Sequence, residues 1–178
     1  SAEVVAVPEA PLLPLPAGAD PVDAAGIIEV GATVISNLVL EAGIQEGETL
    51  LIHGGTGGIG TAAIQIARAL GVRVLAVAGS DEGVAQLRAL GAHHAWNRRT
   101  ADVEAEVLAL GGADVILDVI GGSALAANVG MLRVHGRLVI IGTMGGASGE
   151  LPIGALMARR GRVIATALRT RAVADKQE

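Results

Sequence analysis

The sequence has no cysteine, no phenylalanine and no tyrosine, and a single tryptophan, Trp96. Without cysteine, neither a disulfide framework nor a thiolate metal site can form. Aromatic side chains normally carry much of a core's burial, so Ile, Leu, Val and Ala must close this one alone. Basic charge is also short. Thirteen Lys and Arg stand against 18 Asp and Glu, for a formal net charge of −5. No basic block appears, which argues against a nucleic-acid partner. Uninterrupted apolar runs fall short of the roughly 18–20 residues that span a bilayer, so no membrane segment is expected. The start carries no basic region followed by an apolar stretch and a cleavage site. A soluble, cytoplasmic protein is the expectation.

Glycine, by contrast, is abundant: 26 of 178 residues, in a chain that is 51% hydrophobic. That balance suits one α/β domain with buried strands and tight strand–helix turns. Residues 1–21 carry Pro8, Pro11, Pro14, Pro16 and Pro21, and proline fits neither a helix interior nor a central strand, so they form an extended lead-in. Asp20 followed by Pro21 reads as a helix N-cap. Helix is expected to about Gly43, in two pieces broken near Gly31. From Glu48 onward, strand-like runs at 49–53, 72–78, 94–96, 114–120, 137–142 and 162–168 alternate with helical patterns. Ile59, Ala63, Ile66, Ala67 and Leu70 share one helical face; so do Val84, Leu87 and Leu90, and Val103, Val107 and Leu110. Gly71, Gly91 and Gly111 follow as left-handed caps. Six strands joined by crossovers imply a doubly wound parallel sheet, order 3-2-1-4-5-6, over residues 22–178. The closing stretch, "RTRAVADKQE", starts a further helix.

Between the first strand and the first long helix lies "HGGTGGIG", residues 53–60. Gly55-Thr56-Gly57-Gly58-Ile59-Gly60 satisfies G-x-G-x-x-G in the setting that gives the motif its mechanism. Gly55 permits the turn, Gly57 lets a pyrophosphate approach the backbone, and Gly60 allows helix to pack on sheet. The free amides and positive end of the helix then face phosphate. A P-loop is excluded because Thr61 stands where its lysine belongs. The second strand ends "AVAGSDEG", so Gly79 and Ser80 replace the acidic residue that would hold the ribose of NADH. Arg98, after the third strand, can reach a 2′-phosphate with a forked donor. These residues favour NADPH over NADH, with Asp81 and Glu82 as counterweight. No G-x-S-x-G elbow occurs. His53, His93, His94 and His135 form no ligand pattern, so neither a hydrolase triad nor a metal site is expected. Asp118 ends the fourth strand, where ligands meet an open α/β sheet.

The stretches "GETLLIHGGTGGIGTAAIQIARALGVRVLAVAGSDEGVAQLRALGAHHAWN", "ADVILDVIGG" and "GRLVIIGTMGG" resemble the zinc-free NAD(P)H:quinone oxidoreductases of the medium-chain dehydrogenase/reductase superfamily. The resemblance implies that Thr56, Gly57, Gly58 and Ile59 wrap the pyrophosphate, while Gly79, Ser80 and Arg98 surround the ribose phosphate. It implies that Thr33 lines the nicotinamide and that Gly142 and Thr143 flank it. Arg98 departs from relatives that carry an aromatic residue or His there, and Gly83 from those that carry lysine. Because members are about twice as long, residues 1–21 would lead in from a catalytic domain that this chain lacks. It would then be inactive alone, with no catalytic residue of its own. The implied reaction is hydride transfer to a quinone or an activated alkene. The alternatives are an enoyl reductase of the polyketide-synthase type and an isolated nucleotide-binding domain without turnover. Relatives also imply a homodimer through the apolar edge strand 162–168.

Overall fold

The computed structural model describes residues 4–7, 9 and 12–170. Asp20 Oδ1 accepts hydrogen bonds from the Val22 and Asp23 amides at 2.7 and 3.2 Å, and Pro21 opens helix α1 (Pro21–Val34). Pro21 has no N–H to leave unpaired there. The expected break near Gly31 does not occur. Instead α1 runs directly into a π-helical segment, Ile35–Glu41. The cause is local. Ser36 Oγ and Asn37 Nδ2 donate to the Thr33 carbonyl at 3.2 and 2.8 Å, taking the acceptor that the Asn37 amide would use in a regular helix. The ladder slips, and the Ala42 amide reaches back to the Asn37 carbonyl.

Together these segments form a 21-residue helix, Pro21–Glu41, of hydropathy 1.5, long and apolar enough by length and composition to cross a membrane. That corrects the expectation of no such stretch: Asp23 and Glu29 interrupt the run of letters without lowering its average enough. Only 28% of it is buried, with Val34 and Leu38 fully buried against the sheet.

The strands are β1 (Thr49–Ile52), β2 (Arg73–Ala78), β3 (His94–Asn97), β4 (Ala113–Asp118), β5 (Leu132–Ile140) and β6 (Arg162–Ala165). They form one parallel sheet in the order β3-β2-β1-β4-β5-β6, as the sequence predicts. The crossovers carry α2 (Gly58–Ala69), α3 (Asp81–Ala89), α4 (Val103–Ala109), α5 (Leu125–Met131) and α6 (Ile153–Arg159). Alternation along the strands divides the interior. Leu50, Ile52, Val74 and Ala76 face Val34, Leu38, Ile64 and Leu87 on one side. Leu51, Leu75 and Ile116 face Val107, Val129 and Met131 on the other. Both faces are covered, so the strands are apolar throughout rather than alternating. Leu70 is an exception to the expected helical face, being 41% exposed at the end of α2.

Gly71, Gly91 and Gly111 end α2, α3 and α4 at positive φ, each with the same pair of reach-back amide bonds. Strand limits differ where side chains intervene. β4 stops at Asp118 because that carboxylate takes the Ile120 and Gly121 amides at 2.7 and 3.0 Å. β5 begins at Leu132, not 137. Ala113 pairs with Leu132 and Val115 with Arg137, so residues 133–136 bulge outward, with His135 at φ 66°. Arg133 pins this bulge, donating to the Gly111 carbonyl at 2.9 Å and to Asp114 at 2.8 Å. β6 ends at Ala165, and Leu168–Thr170 forms a short 3-10 turn. The helix expected in the closing stretch falls on residues 171–178, outside those described.

Arg137 ties the π-helical segment to the sheet. It grips both oxygens of Glu48 at 2.8 and 2.7 Å and donates to the Ala42 carbonyl at 3.0 Å. That hydrogen bond holds the Glu48 carboxyl below its ordinary value of 4.5, against an opposing effect of burial. The pair therefore contributes fully above the ordinary carboxyl range and less as pH falls through it. Arg137→Ala should cost about 2–3 kcal/mol in urea unfolding near neutral pH. The difference from wild type should shrink below pH 4.5.

Candidate functional site

β1 delivers the chain into the glycine loop at the carboxyl edge of the sheet. The left-handed residue of the turn is Gly54, φ 67°, rather than Gly55. Gly55 is required for another reason: a Cβ there would lie 2.9 Å from Leu87 Cδ2, in the core. At Gly60 a Cβ would lie 2.5 Å from both the Gly54 carbonyl oxygen and the Gly55 Cα. Helix and strand therefore meet backbone to backbone, as expected for the third glycine. Gly57 differs, since its Cβ would meet nothing closer than 3.4 Å. Its open side is space beside the backbone.

Gly57 is also the N-cap of α2, and it supplies no side-chain acceptor. Asp20, Ser80 and Asp102 cap α1, α3 and α4 with their side chains. At α2 the first-turn amides and the positive end of the helix stay available to an anion. Thr56, Gly57, Gly58 and Ile59 lie together in this cradle, closed on one side by α3, where a Cβ on Gly83 would meet Thr56 Cγ2 at 3.0 Å. On the other side Val30 of α1 stands 3.3 Å from the corresponding point on Gly58.

Gly79, Ser80 and Arg98 are also brought together. The Arg98 Nε and Nη2 atoms lie 3.9 Å from where a Gly79 Cβ would be. Arg98 is exposed and, among the described residues, makes no ion pair. Ser80 Oγ accepts the Gly83 amide at 3.1 Å, which leaves its proton free to donate. Asp81 is turned toward Asn97, whose Nδ2 donates to it at 2.8 Å. Of the two acids that weigh against a 2′-phosphate, Asp81 is hydrogen-bonded within the protein and Glu82 is exposed in the first turn of α3.

Across the switch point, Val119 Cγ2 lies 2.9 Å from the Cβ position of Gly54. Gly142 packs on the same residue, with a Cβ position 2.8 Å from the Val119 carbonyl oxygen. The Met144 and Gly145 amides then bond the Val119 and Ile120 carbonyls at 3.2 and 2.7 Å. The amides of Gly142 and Thr143 make no such bond among the described residues. Thr33 is buried one turn ahead of Asn37, which accepts from Thr166 Oγ1 beyond β6. No hydrogen bond joins Thr33 to Gly142 or Thr143 among the described residues.

One feature escaped the sequence reading. His53 Nε2 donates to Asn128 Oδ1 at 2.7 Å beneath the glycine loop, linking the end of β1 to α5. Burial pushes the imidazole below its ordinary value, against the Asn128 hydrogen bond and the charge of Asp118. Asn128 Nδ2 is buried without a partner. A histidine ending an otherwise apolar strand was the available signal.

Residues 58–177 match the family described as zinc-binding dehydrogenase. The chain belongs to that family. It is a cofactor-binding domain of the medium-chain dehydrogenase/reductase superfamily, of quinone oxidoreductase type. Over 131 residues, 72% of the chain, it is 37% identical to a phthioceranic/hydroxyphthioceranic acid synthase of Mycobacterium tuberculosis, covering 6% of that protein. Over 116 residues, 64% of the chain, it is 34% identical to the quinone oxidoreductase of Homo sapiens, covering 35% of it. The quinone oxidoreductase of Thermus thermophilus, solved also in complex with NADPH, superposes with a TM-score of 0.84 at 36% identity. That match covers 97% of this chain and 57% of the other. The chain therefore spans less than two thirds of each of these relatives. The family's description includes zinc, yet this dehydrogenase domain has no cysteine. No group of three His, Cys, Asp or Glu gathers among its described residues. The donor set of the described residues does not fit a zinc ion.

Gly60→Ala should push α2 off the strand, because both obstructing atoms are backbone. A loss of roughly 2–4 kcal/mol in denaturant unfolding is expected, together with loss of dinucleotide binding at temperatures where the variant remains folded.

Proposed function

We propose that this domain holds NADPH for an oxidoreductase that passes hydride to a quinone or an activated alkene. The observation that carries the reading is Arg98 standing over Gly79 without a carboxylate partner, beside a helix whose N-terminus has no side-chain cap. In this reading Thr56, Gly57, Gly58 and Ile59 bind the pyrophosphate through main-chain donors. Ser80 and Arg98 hold the 2′-phosphate, at a place where Gly79 leaves room. Gly142 and Thr143 offer their free amides along the nicotinamide edge, and Thr33 lines its other side. A bound nicotinamide supplies the hydride from its C4. The chain's own contribution is to fix that carbon's position, which is most of what hydride transfer asks of a protein. Walls for the acceptor would come from the part of the relatives that this chain does not match, so the domain alone binds cofactor without turnover.

A second reading rests on the synthase, of which the match covers 6%. There the same crevice would serve as an enoyl reductase within a larger multi-enzyme chain. Cofactor binding is common to both readings, and the acceptor separates them. We further propose a cytoplasmic location and a homodimer through β6, whose outer edge has no neighbouring strand among the described residues. Sedimentation at micromolar concentration should give twice the monomer mass; a monomer would remove the dimer.

Titration with both dinucleotides tests the central claim. Arg98→Ala should weaken NADPH by about tenfold or more and leave NADH nearly unchanged. Gly79→Asp should reverse the preference by placing a carboxylate against the 2′-phosphate. Equal losses for both cofactors in Arg98→Ala would take Arg98 out of the site.

A further inference from the structure

The opposite edge of the sheet carries a second cluster that the dinucleotide crevice does not use. Arg68 comes from the last turn of α2, Arg73 heads β2, and His93 and His94 stand at the start of β3. His93 Nδ1 accepts the Val74 amide at 2.8 Å, so a neutral ring carries its one proton on Nε2. That Nε2 lies 2.6 Å from Arg68 Nη1, a group that only donates. Two donors face each other with no acceptor between them. Protonating Nδ1 as well would sacrifice the Val74 bond without resolving the clash. The His93 imidazole is held below its ordinary value by partial burial and by the charges of Arg68, Arg73 and His94.

The neighbouring pair behaves differently. Arg73 Nη2 lies 3.1 Å from His94 Nε2, which can accept it, and His94 stacks on Trp96 with centroids 5.8 Å apart. Neither arginine has a carboxylate within ion-pair distance among the described residues. Glu46 packs over Gly71, in the turn between them, without pairing to either. The cluster thus holds two uncompensated guanidinium charges and a proton aimed at a cation.

We propose that Arg68, Arg73 and His93 form a binding site for a phosphate monoester or free phosphate dianion. One oxygen accepts from both His93 Nε2 and Arg68 Nη1, which removes the conflict between those donors. A dianion matches two guanidinium charges, whereas a carboxylate would neutralise one. The site is independent of the dinucleotide reading, since it lies at the amino-terminal end of the strands.

The test uses the full chain and the ring C–H signals of its histidines in NMR, with His93 assigned through His93→Gln. Inorganic phosphate and glycerol 3-phosphate are titrated at ionic strength held constant with sodium chloride. A saturable shift of the His93 signal and a rise of its titration midpoint are expected with phosphate. An equal or stronger response to glycerol 3-phosphate identifies esters as the ligand; a response to phosphate alone identifies the free ion. Arg68→Ala and, independently, Arg73→Gln should each weaken the apparent Kd about tenfold. Glu46→Gln should tighten it by removing a negative charge packed over Gly71, between the two arginines. The proposal is overturned if sodium chloride alone gives the same shift, or if both arginine variants bind as wild type does. It is equally overturned if saturating NADPH abolishes the shift, which would put the phosphate in the crevice.

Discussion

Contact between bare backbones, Gly60 of the helix against Gly54 and Gly55 of the strand exit, governs the geometry of the whole carboxyl edge. Because no side chain intervenes, α2 begins directly above the sheet and its free amides point into the switch point between β1 and β4. The same closeness lets Gly83 at the start of α3 lie against Thr56, and Val30 of α1 against Gly58. Three helices therefore take their positions from one junction. A methyl group at Gly60 would have to displace main chain, and packed interiors transmit such displacements instead of absorbing them.

The missing aromatics and this junction belong to one design. A sheet covered on both faces by short helices needs side chains that fill shallow layers, and Ala63, Ala67, Ala76, Ala78 and Ala95 do so under complete or near-complete burial. Branched residues such as Ile52, Ile64 and Leu87 fill what remains. Small residues at the top of the sheet keep α2 and α3 close to it. A bulky ring there would widen the layer and lift the loop from the strand ends, where an anion must meet several amides at once.

Strand order, the left-handed caps and the glycine cradle were legible in sequence because each rests on local, strongly periodic signals. The π-helical segment was not. Asn37 and Ser36 read as polar interruptions, and only their shared claim on the Thr33 carbonyl explains why the ladder slips. The start of β5 was hidden for a different reason. Residues 133–136 look like a turn and are one, but Arg133 anchors that turn to the preceding loop, so pairing begins before it. At the site, Gly79 and Arg98 were legible as a pair because strand order placed β2 beside β3. The His53–Asn128 link depends on partners 75 residues apart in a helix whose rotation no sequence pattern specified.

Electrostatics at the crevice turns on which acids and donors the fold engages for itself. The protein carries a net charge of −5; Asp118 ends β4, buried, and Asp81 opens α3 after β2. Left free, they would repel a polyanion. Asp118 is instead consumed by two amides of the turn after β4, and Asp81 receives Asn97. Ser80 spends its acceptor capacity on the Gly83 amide and keeps a proton to give. The donors that point outward are the opening amides of α2, the Ser80 hydroxyl and the Arg98 fork, while Glu82 stays exposed in the first turn of α3. An acidic protein thus gathers hydrogen-bond donors at this edge without a cluster of basic residues. The same accounting separates this edge from the opposite one, where arginine and imidazole donors remain without a matching acceptor of the protein's own.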